Sequence, residues 1–245
     1  MSNVDYTRKL YDKFAVAYHE KRLNVEDSLW NRFIEMPAMT KLVKPIVKNK
    51  KVLDLGCGSG IFTKNLISWG ANVSGCDLSK NLVFIAKKEN PNISFIVCNA
   101  EKTPYKNSEF DVVTSGLMVH YLKDLKPLFK EVCRITKKNG IFIFSMQHPF
   151  GEGYEQKKIN GKTYFVLKPY FNNDKFEWMM LKGMKRITYH HTLENVFTVL
   201  TDCGFVVEKL IETKPTEELK KYDRKTYDIA SKFPSFLVIK ARKNI

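Results

Sequence analysis

Short apolar runs alternate with segments of three-to-four-residue apolar spacing through the middle of the chain, and this rhythm predicts most of its elements. Lys51-Val52-Leu53-Asp54 and Asn72-Val73-Ser74-Gly75-Cys76-Asp77 read as strands that each close on an acid. A helical pattern starts at Ile61 after the first, and Lys80–Lys88 follows the second. Ile93–Val97 and Phe110–Thr114 are the next strands. Leu125, Leu128, Phe129, Val132 and Ile135 then fall on one helical face, Gly140 ends the connection, and Ile141–Ser145 forms a fifth strand. Such alternation predicts a doubly wound α/β sheet, mostly parallel. Later in the chain, Leu193–Leu200 reads as a helix, and Cys203-Gly204-Phe205 leads into strand Val206–Ile211. Phe236–Lys240 would close the sheet as its seventh strand. Between these halves, Asn160-Gly161 inside Lys157–Val166 is a strong hairpin signal.

Chemistry concentrates after the first strand, where Gly56, Gly58 and Gly60 occupy alternate positions just before a helix. Glycine is needed where the backbone takes positive φ or where a ligand lies directly against the main chain. The helix start adds free N–H groups and a positive dipole end. The turn is thus built for a nucleotide-like ligand at the carboxyl edge of the sheet. A dinucleotide fingerprint would place its third glycine where Ile61 stands, which disfavours a dehydrogenase. Asp77 ends the second strand roughly 20 residues further on, where a carboxylate can accept two ribose hydroxyls, while Ser79 is free to cap the following helix.

Val52-Leu53-Asp54-Leu55-Gly56-Cys57-Gly58-Ser59-Gly60 closely resembles motif I of the class I S-adenosylmethionine (SAM) methyltransferases, and Asp77-Leu78-Ser79 resembles their second motif. The resemblance implies a seven-stranded Rossmann-like sheet and SAM as cofactor. It implies that Asp54, Gly56, Cys57, Gly58 and Gly60 shape the methionine pocket, that Asp77 with Leu78 holds the ribose, and that Asn99, Ala100 and Glu101 frame the adenine. Relatives commonly carry an acid where this chain has Asn99, whose amide oxygen can still accept. Ser115, Gly116 and Leu117 would line the methyl-donor side. Tyr11 and Tyr18, in a stretch similar to the family's N-terminal lid, would close over the cofactor. The implied organisation is one domain: a helical lid over 1–45, a cofactor-binding core over 46–149, a substrate-cap insertion with a β-hairpin over 150–187, and the last helix and strands over 188–245.

Composition narrows the acceptor less than it narrows the class. The chain has 245 residues, enough for one domain with a substantial core. It carries neither a bilayer-length apolar run nor an apolar leader after Met1, so secretion is not expected. Its five cysteines show no Cys-x-x-Cys spacing, so zinc and disulfide roles are not expected and a reducing cytoplasm is the natural compartment. A formal charge of +15 invites a nucleic-acid reading, yet only seven of the 41 basic residues are Arg, the side chain suited to bidentate phosphate and base contacts. Specific nucleic-acid binding is not expected. The residues after the fourth strand, Thr114-Ser115-Gly116-Leu117, also lack the Asn/Asp-Pro-Pro-Tyr of enzymes that methylate exocyclic base amines.

Transfer from a sulfonium needs no metal; positioning carries most of the rate, and a hydroxyl or ammonium-like acceptor also needs a base. His148, before Pro149 at the end of the fifth strand, is the first candidate base, and His120, on the loop after the fourth strand, the second. Tyr121, His190 and His191 are further candidates, the paired histidines reading mainly as structure before the N-cap Thr192. Tyr154, Tyr164, Phe165, Tyr170, Phe171, Phe176, Trp178, Met179 and Met180 make the insertion aromatic-rich, which favours a small, apolar or aromatic acceptor methylated on O or N. An RNA or protein methyltransferase, or a non-catalytic SAM-binding protein, would share every cofactor motif. A monomer and a homodimer both remain open.

Overall fold

The computed structural model describes residues 3–152, 154–167, 169–172 and 175–244. A long helix, α1 (Asn3–Leu23), is followed by a π-helical turn over Asn31–Glu35 that runs into α2 (Met36–Val43), with Pro37 in its first turn. Strands β1 (Lys51–Leu55), β2 (Asn72–Asp77) and β3 (Ser94–Val97) are joined by α3 (Ile61–Ser68) and α4 (Lys80–Glu89). Next, β4 (Phe110–Ser115) leads through α5 (Lys126–Ile135) into β5 (Thr136–Gln147). The insertion holds a short helix, α6 (Pro149–Glu152), and two hairpins, β6 (Tyr154–Ile159) with β7 (Lys162–Leu167), and β8 (Lys175–Leu181) with β9 (Met184–Tyr189). Helix α7 (Leu193–Asp202), β10 (Phe205–Glu212), α8 (Arg224–Ala230) and β11 (Phe236–Lys243) complete the chain.

The sheet has seven strands in the order β10-β11-β5-β4-β1-β2-β3. Only β11 runs against its neighbours β5 and β10; the other pairs are parallel. Each central strand is buried on both faces, so its residues divide by parity between two cores. Leu53, Val113, Phe142, Phe144 and Ile239 meet Leu128, Phe129 and Val132 of α5 and Val196 and Leu200 of α7. Val52, Val112, Ile143 and Val238 meet Met39 and Val43 of α2 and Leu66 of α3. Among the described residues no helix is long and apolar enough to cross a membrane.

The elements deviate from the sequence reading in two places, and one expected turn forms as read. Helix α5 passes directly into β5 at Thr136, whose pairing with Phe110 is separated by an excursion from the continuous register that starts at Ile141. Asn160 and Gly161 both take positive φ, the backbone a two-residue hairpin turn demands, so the first hairpin forms as expected. The second hairpin was not anticipated, although Lys175–Leu181 alternates exposed with half-buried positions, the period of a strand.

Candidate active site

Strand order reverses direction between β1 and β4: the chain winds outward to β2 and β3 on one side, and to β5 on the other. A crevice must open at the carboxyl ends of such a pair. Register sets Asp54 beside Thr114, which brings the glycine turn after β1 against the loop that follows β4, with Gly56 packed on Met118. Two connected cavities fill the crevice. One is walled by Tyr11, Gly56, Asp77, Asn99, Ala100 and Met118 among others, and the second extends beneath the insertion. Ser115 ends β4 and lines neither cavity. Tyr11, Tyr18, Gly56, Gly58, Gly116, Leu117 and Tyr121 line both and mark their junction.

The turn is held from behind by its own hydrogen bonds. Gly56 N–H and Cys57 N–H both donate to the Cys76 carbonyl, and Gly58 N–H donates to Asp77 Oδ2 at 2.8 Å. Asp77 Oδ1 accepts from Ser79 N–H at 2.9 Å, and Ser79 Oγ caps α4 through Leu82 N–H at 3.2 Å. The two roles expected of Asp77-Leu78-Ser79 thus fall to separate side chains: Ser79 caps, and Asp77 and Leu78 line the first cavity. Asn99 Oδ1 accepts from Glu101 N–H at 3.0 Å, and its amide faces the Glu101 carboxylate at 3.3 Å. Asn99 and Ala100 border the cavity, while Glu101 braces Asn99.

Gly60 stands apart from the other two glycines. It is the N-cap of α3 at φ +80°, outside the linings of both cavities, and an added Cβ would lie 2.6 Å from Asn90 Nδ2 and 3.2 Å from Ala86 Cβ. Its smallness lets α3 pack on α4. Gly60→Ala should therefore cost about 2–4 kcal/mol of stability, through both strained φ and overpacking. Thermal unfolding would check it; an unchanged Tm would show that the helices yield freely.

Helix α1 covers the cleft. Asp12 Oδ1 accepts from Ser79 Oγ at 2.7 Å and Asn81 N–H at 3.2 Å, and His19 Nδ1 pairs with Ser59 Oγ at 2.9 Å. Between these pins the rings of Tyr11 and Tyr18 meet edge to face, 5.2 Å apart, and the Tyr11 and Tyr121 hydroxyls bond to one another. Arg186 Nη1 approaches the Tyr121 hydroxyl at 3.5 Å. Burial pushes both Tyr11 and Tyr18 above the usual phenol range. Arg22 joins the site although the sequence reading passed over it; the spacing Tyr11, Ala15, Tyr18, Arg22 is a helical stripe, and that periodicity was the signal for it.

Neither expected histidine faces the cleft. His148 is fully buried, its Nδ1 accepting Phe150 N–H at 3.2 Å and its Nε2 paired with Glu212 Oε1 at 3.1 Å, so it fixes the turn out of β5. His120 is also fully buried, with Gln147 N–H on Nδ1 at 3.4 Å, and burial drives it well below the ordinary imidazole value. His191 donates to the Leu122 carbonyl and His190 pairs with the Tyr170 carbonyl, both at 2.8 Å. Of the insertion's aromatic and thioether side chains, Trp178, Met179 and Met180 of β8 line the second cavity. Phe165 packs on Phe233, Tyr170 receives Leu193 N–H, and Phe171 is largely exposed. The side chain of Tyr154 lies outside the described residues.

Buried acids are the site's electrostatic signature. Asp54 accepts from Thr63 Oγ1 at 2.6 Å, and Glu35 from Ser145 Oγ at 2.6 Å. Burial raises the pKa of Asp54 to about 7 and lifts those of Glu35 and Asp77 above the carboxylate range. Glu35 was missed in the sequence, although a lone acid within Phe33-Ile34-Glu35-Met36-Pro37 is a signal of a buried polar role.

A sheet of this order, with a glycine turn at its switch point and an acid at the end of β2, is built to hold a nucleotide-like ligand. The chain is similar to the class I SAM-dependent methyltransferases. Residues 53–144 match the family described as "Methyltransferase domain". A SAM-dependent methyltransferase structure from Mesorhizobium loti is 26% identical, with a TM-score of 0.73 over 85% of this chain and 97% of that one. A Haemophilus influenzae protein of uncharacterised function is 29% identical over 96% of each chain. Demethylmenaquinone methyltransferase of Chlorobaculum tepidum is 33% identical, over 54% of this chain and 56% of that one. Malonyl-[acyl-carrier protein] O-methyltransferase of Buchnera aphidicola is 31% identical over 52% and 50%. The chain thus spans about half the length of these two named enzymes.

SAM is the cofactor, and the residues present suit it. Asp54 and Asp77 make no ion pair within 4.0 Å among the described residues, and burial disfavours their charged form, so a cationic ligand would favour their ionisation.

Proposed function

We propose that this enzyme transfers the methyl group of SAM to an oxygen or nitrogen of a small, largely apolar metabolite bound in the second cavity. The observation that carries the reading is that cavity's wall: Trp30, Met36, Met39, Phe62, Trp178 and Phe236 surround a space that meets the cofactor cleft at Gly116 and Leu117. Concave, mostly apolar sites with a few convergent polar groups suit small ligands.

The chain's own groups divide the work. Gly56 and Gly58 present bare backbone to the methionine end, with Asp54 and the lid residue Arg22 nearby; Asp77 accepts the ribose hydroxyls, and Asn99 and Ala100 meet the adenine. Tyr11 and Tyr18 exclude water from above. When bound, SAM supplies an activated methyl group on a cationic sulfur. Leu117 is held at φ +51°, a strained conformation for a leucine, by its N–H bonds to Ser145, and its backbone orients the acceptor at the junction. The unpaired thiols of all five cysteines accord with the cytoplasmic setting we assign it.

Incubation with methyl-labelled SAM and a cell extract, followed by fractionation, tests the reading. Label is expected in the small-molecule fraction. Label found only in RNA or protein would overturn the acceptor class, and label found nowhere would point to a binding protein.

A further inference from the structure

Glu35 is an acid that the glycine turn and the ribose site leave unused. It closes the π-helical turn Asn31–Glu35, an irregularity that helices adopt frequently at functional sites. The residue is 5% exposed, yet it lines the second cavity. One carboxyl oxygen, Oε1, accepts from Ser145 Oγ, which itself accepts Leu117 N–H at 2.9 Å. A Cβ built on Gly116 would stand 3.6 Å from the same Oε1, so the carboxyl touches the backbone where the two cavities join. The other oxygen, Oε2, makes no hydrogen bond among the described residues. Oε2 is not sealed from the cavity, so the carboxyl keeps half of its acceptor capacity for whatever the cavity holds.

We propose that Glu35 takes the proton from the methyl acceptor, and that the acceptor is therefore a hydroxyl or amine that arrives protonated. This rests on the small-molecule transfer reading above. In the step, the acceptor atom forms a bond to the methyl carbon while the donor's C–S bond breaks and leaves its electron pair on sulfur. The X–H electron pair stays with the acceptor, and the proton passes to Glu35 Oε2. Ser145 holds the carboxyl in place, and links it to the backbone of Leu117. The charged groups around it are Arg22 on α1 and Asp54 at the end of β1, and Lys21, Asp27 and Arg186 line the same cavity. Burial exceeds the opposing effects of Arg22 and Ser145 and leaves the carboxyl a stronger base than an ordinary glutamate.

The full-length protein, methyl-labelled SAM and the small-molecule fraction of a cell extract provide the test. Glu35→Gln keeps an oxygen for Ser145 and should lower label transfer about a hundredfold, with SAM affinity by calorimetry within about twofold of wild type. With SAM saturating at every pH, the acid limb of the wild-type pH–rate profile should vanish in the variant. Carbon NMR of carboxyl-labelled glutamate adds a reading that needs no turnover. One wild-type resonance should titrate above the ordinary carboxylate range and be missing from Glu35→Gln. Equal transfer by the variant, loss of SAM affinity in step with transfer, or no raised glutamate titration in wild type would each overturn the assignment. Wild-type protein that labels no small molecule would remove the underlying reading, and this inference with it.

Discussion

Asp77→Ala should weaken SAM binding at least about a hundredfold while leaving a folded protein. The carboxylate has two oxygens, and each accepts one backbone N–H: Gly58 on Oδ2 and Ser79 on Oδ1. A carboxylate has about four acceptor sites, so capacity remains beyond these amides, and Asp77 borders the first cavity. Two hydrogen bonds to an ionised acceptor contribute roughly 1.5–3 kcal/mol each, so losing both amounts to two or more powers of ten in Kd. Alanine also releases the Gly58 N–H, so the turn loses the anchor that holds it against β2.

Stability should change far less. The charge that alanine removes is one that burial disfavours, as the raised pKa shows, and this relief offsets the two amides left without acceptors. A calorimetric titration with SAM, paired with a thermal melt, separates the effects. Affinity within about threefold of wild type would remove Asp77 from the cofactor site. Asp77→Asn is the informative companion, because an amide oxygen replaces only one of the two acceptors; its affinity should fall between those of wild type and alanine.

How much of the fold and site is legible in the sequence follows from how local each feature is. The glycine turn, Asp77 and the Ser79 cap depend on contiguous residues, and the chain states them outright. The parallel pairing of the central strands follows from alternation because parallel strands need helical crossovers. The histidines show what a sequence hides: both nitrogens of His148 are engaged, by Phe150 N–H and Glu212, and His120 is buried with its Nδ1 toward Gln147 N–H, so neither lines the cleft. Glu35 is the converse case. Nothing adjacent to it is catalytic in pattern, and only the pairing of β4 with β5 brings Ser145 and Gly116 to its carboxyl. The insertion failed in a third way, since aromatic content was readable but the choice between its hairpins was not. Trp178 turns toward the cavity and Phe165 toward Phe233.

Asp54 makes the apo-protein and its SAM complex respond to pH in opposite senses. Its carboxyl is 2% exposed and its pKa is raised to about 7, first by burial and then by the charges of Asp77 and Glu35, with Thr63 opposing them. In the unfolded chain the same group titrates near 4. Between these values the folded state holds a proton that the unfolded state has released, so stability falls as pH rises through this window. The full effect is on the order of 3–4 kcal/mol and is complete above about pH 7. His120, His148 and His191 work against it, because burial keeps them neutral and their contribution grows as pH rises toward the free imidazole value. The wild-type profile is therefore a mixture, and the difference from Asp54→Asn isolates one group. That variant keeps an oxygen for Thr63 and should melt higher than wild type at pH 8, the gap narrowing to nothing below about pH 4. Saturating SAM reverses the comparison, since its positive charge favours the ionised carboxylate. The SAM-induced rise in Tm should grow from pH 5.5 to pH 8 in wild type and stay nearly level in Asp54→Asn. Parallel apo melting curves for the two proteins would mean that Asp54 ionises as an ordinary surface acid, and that its burial beneath the glycine turn stores no charge for the cofactor to neutralise.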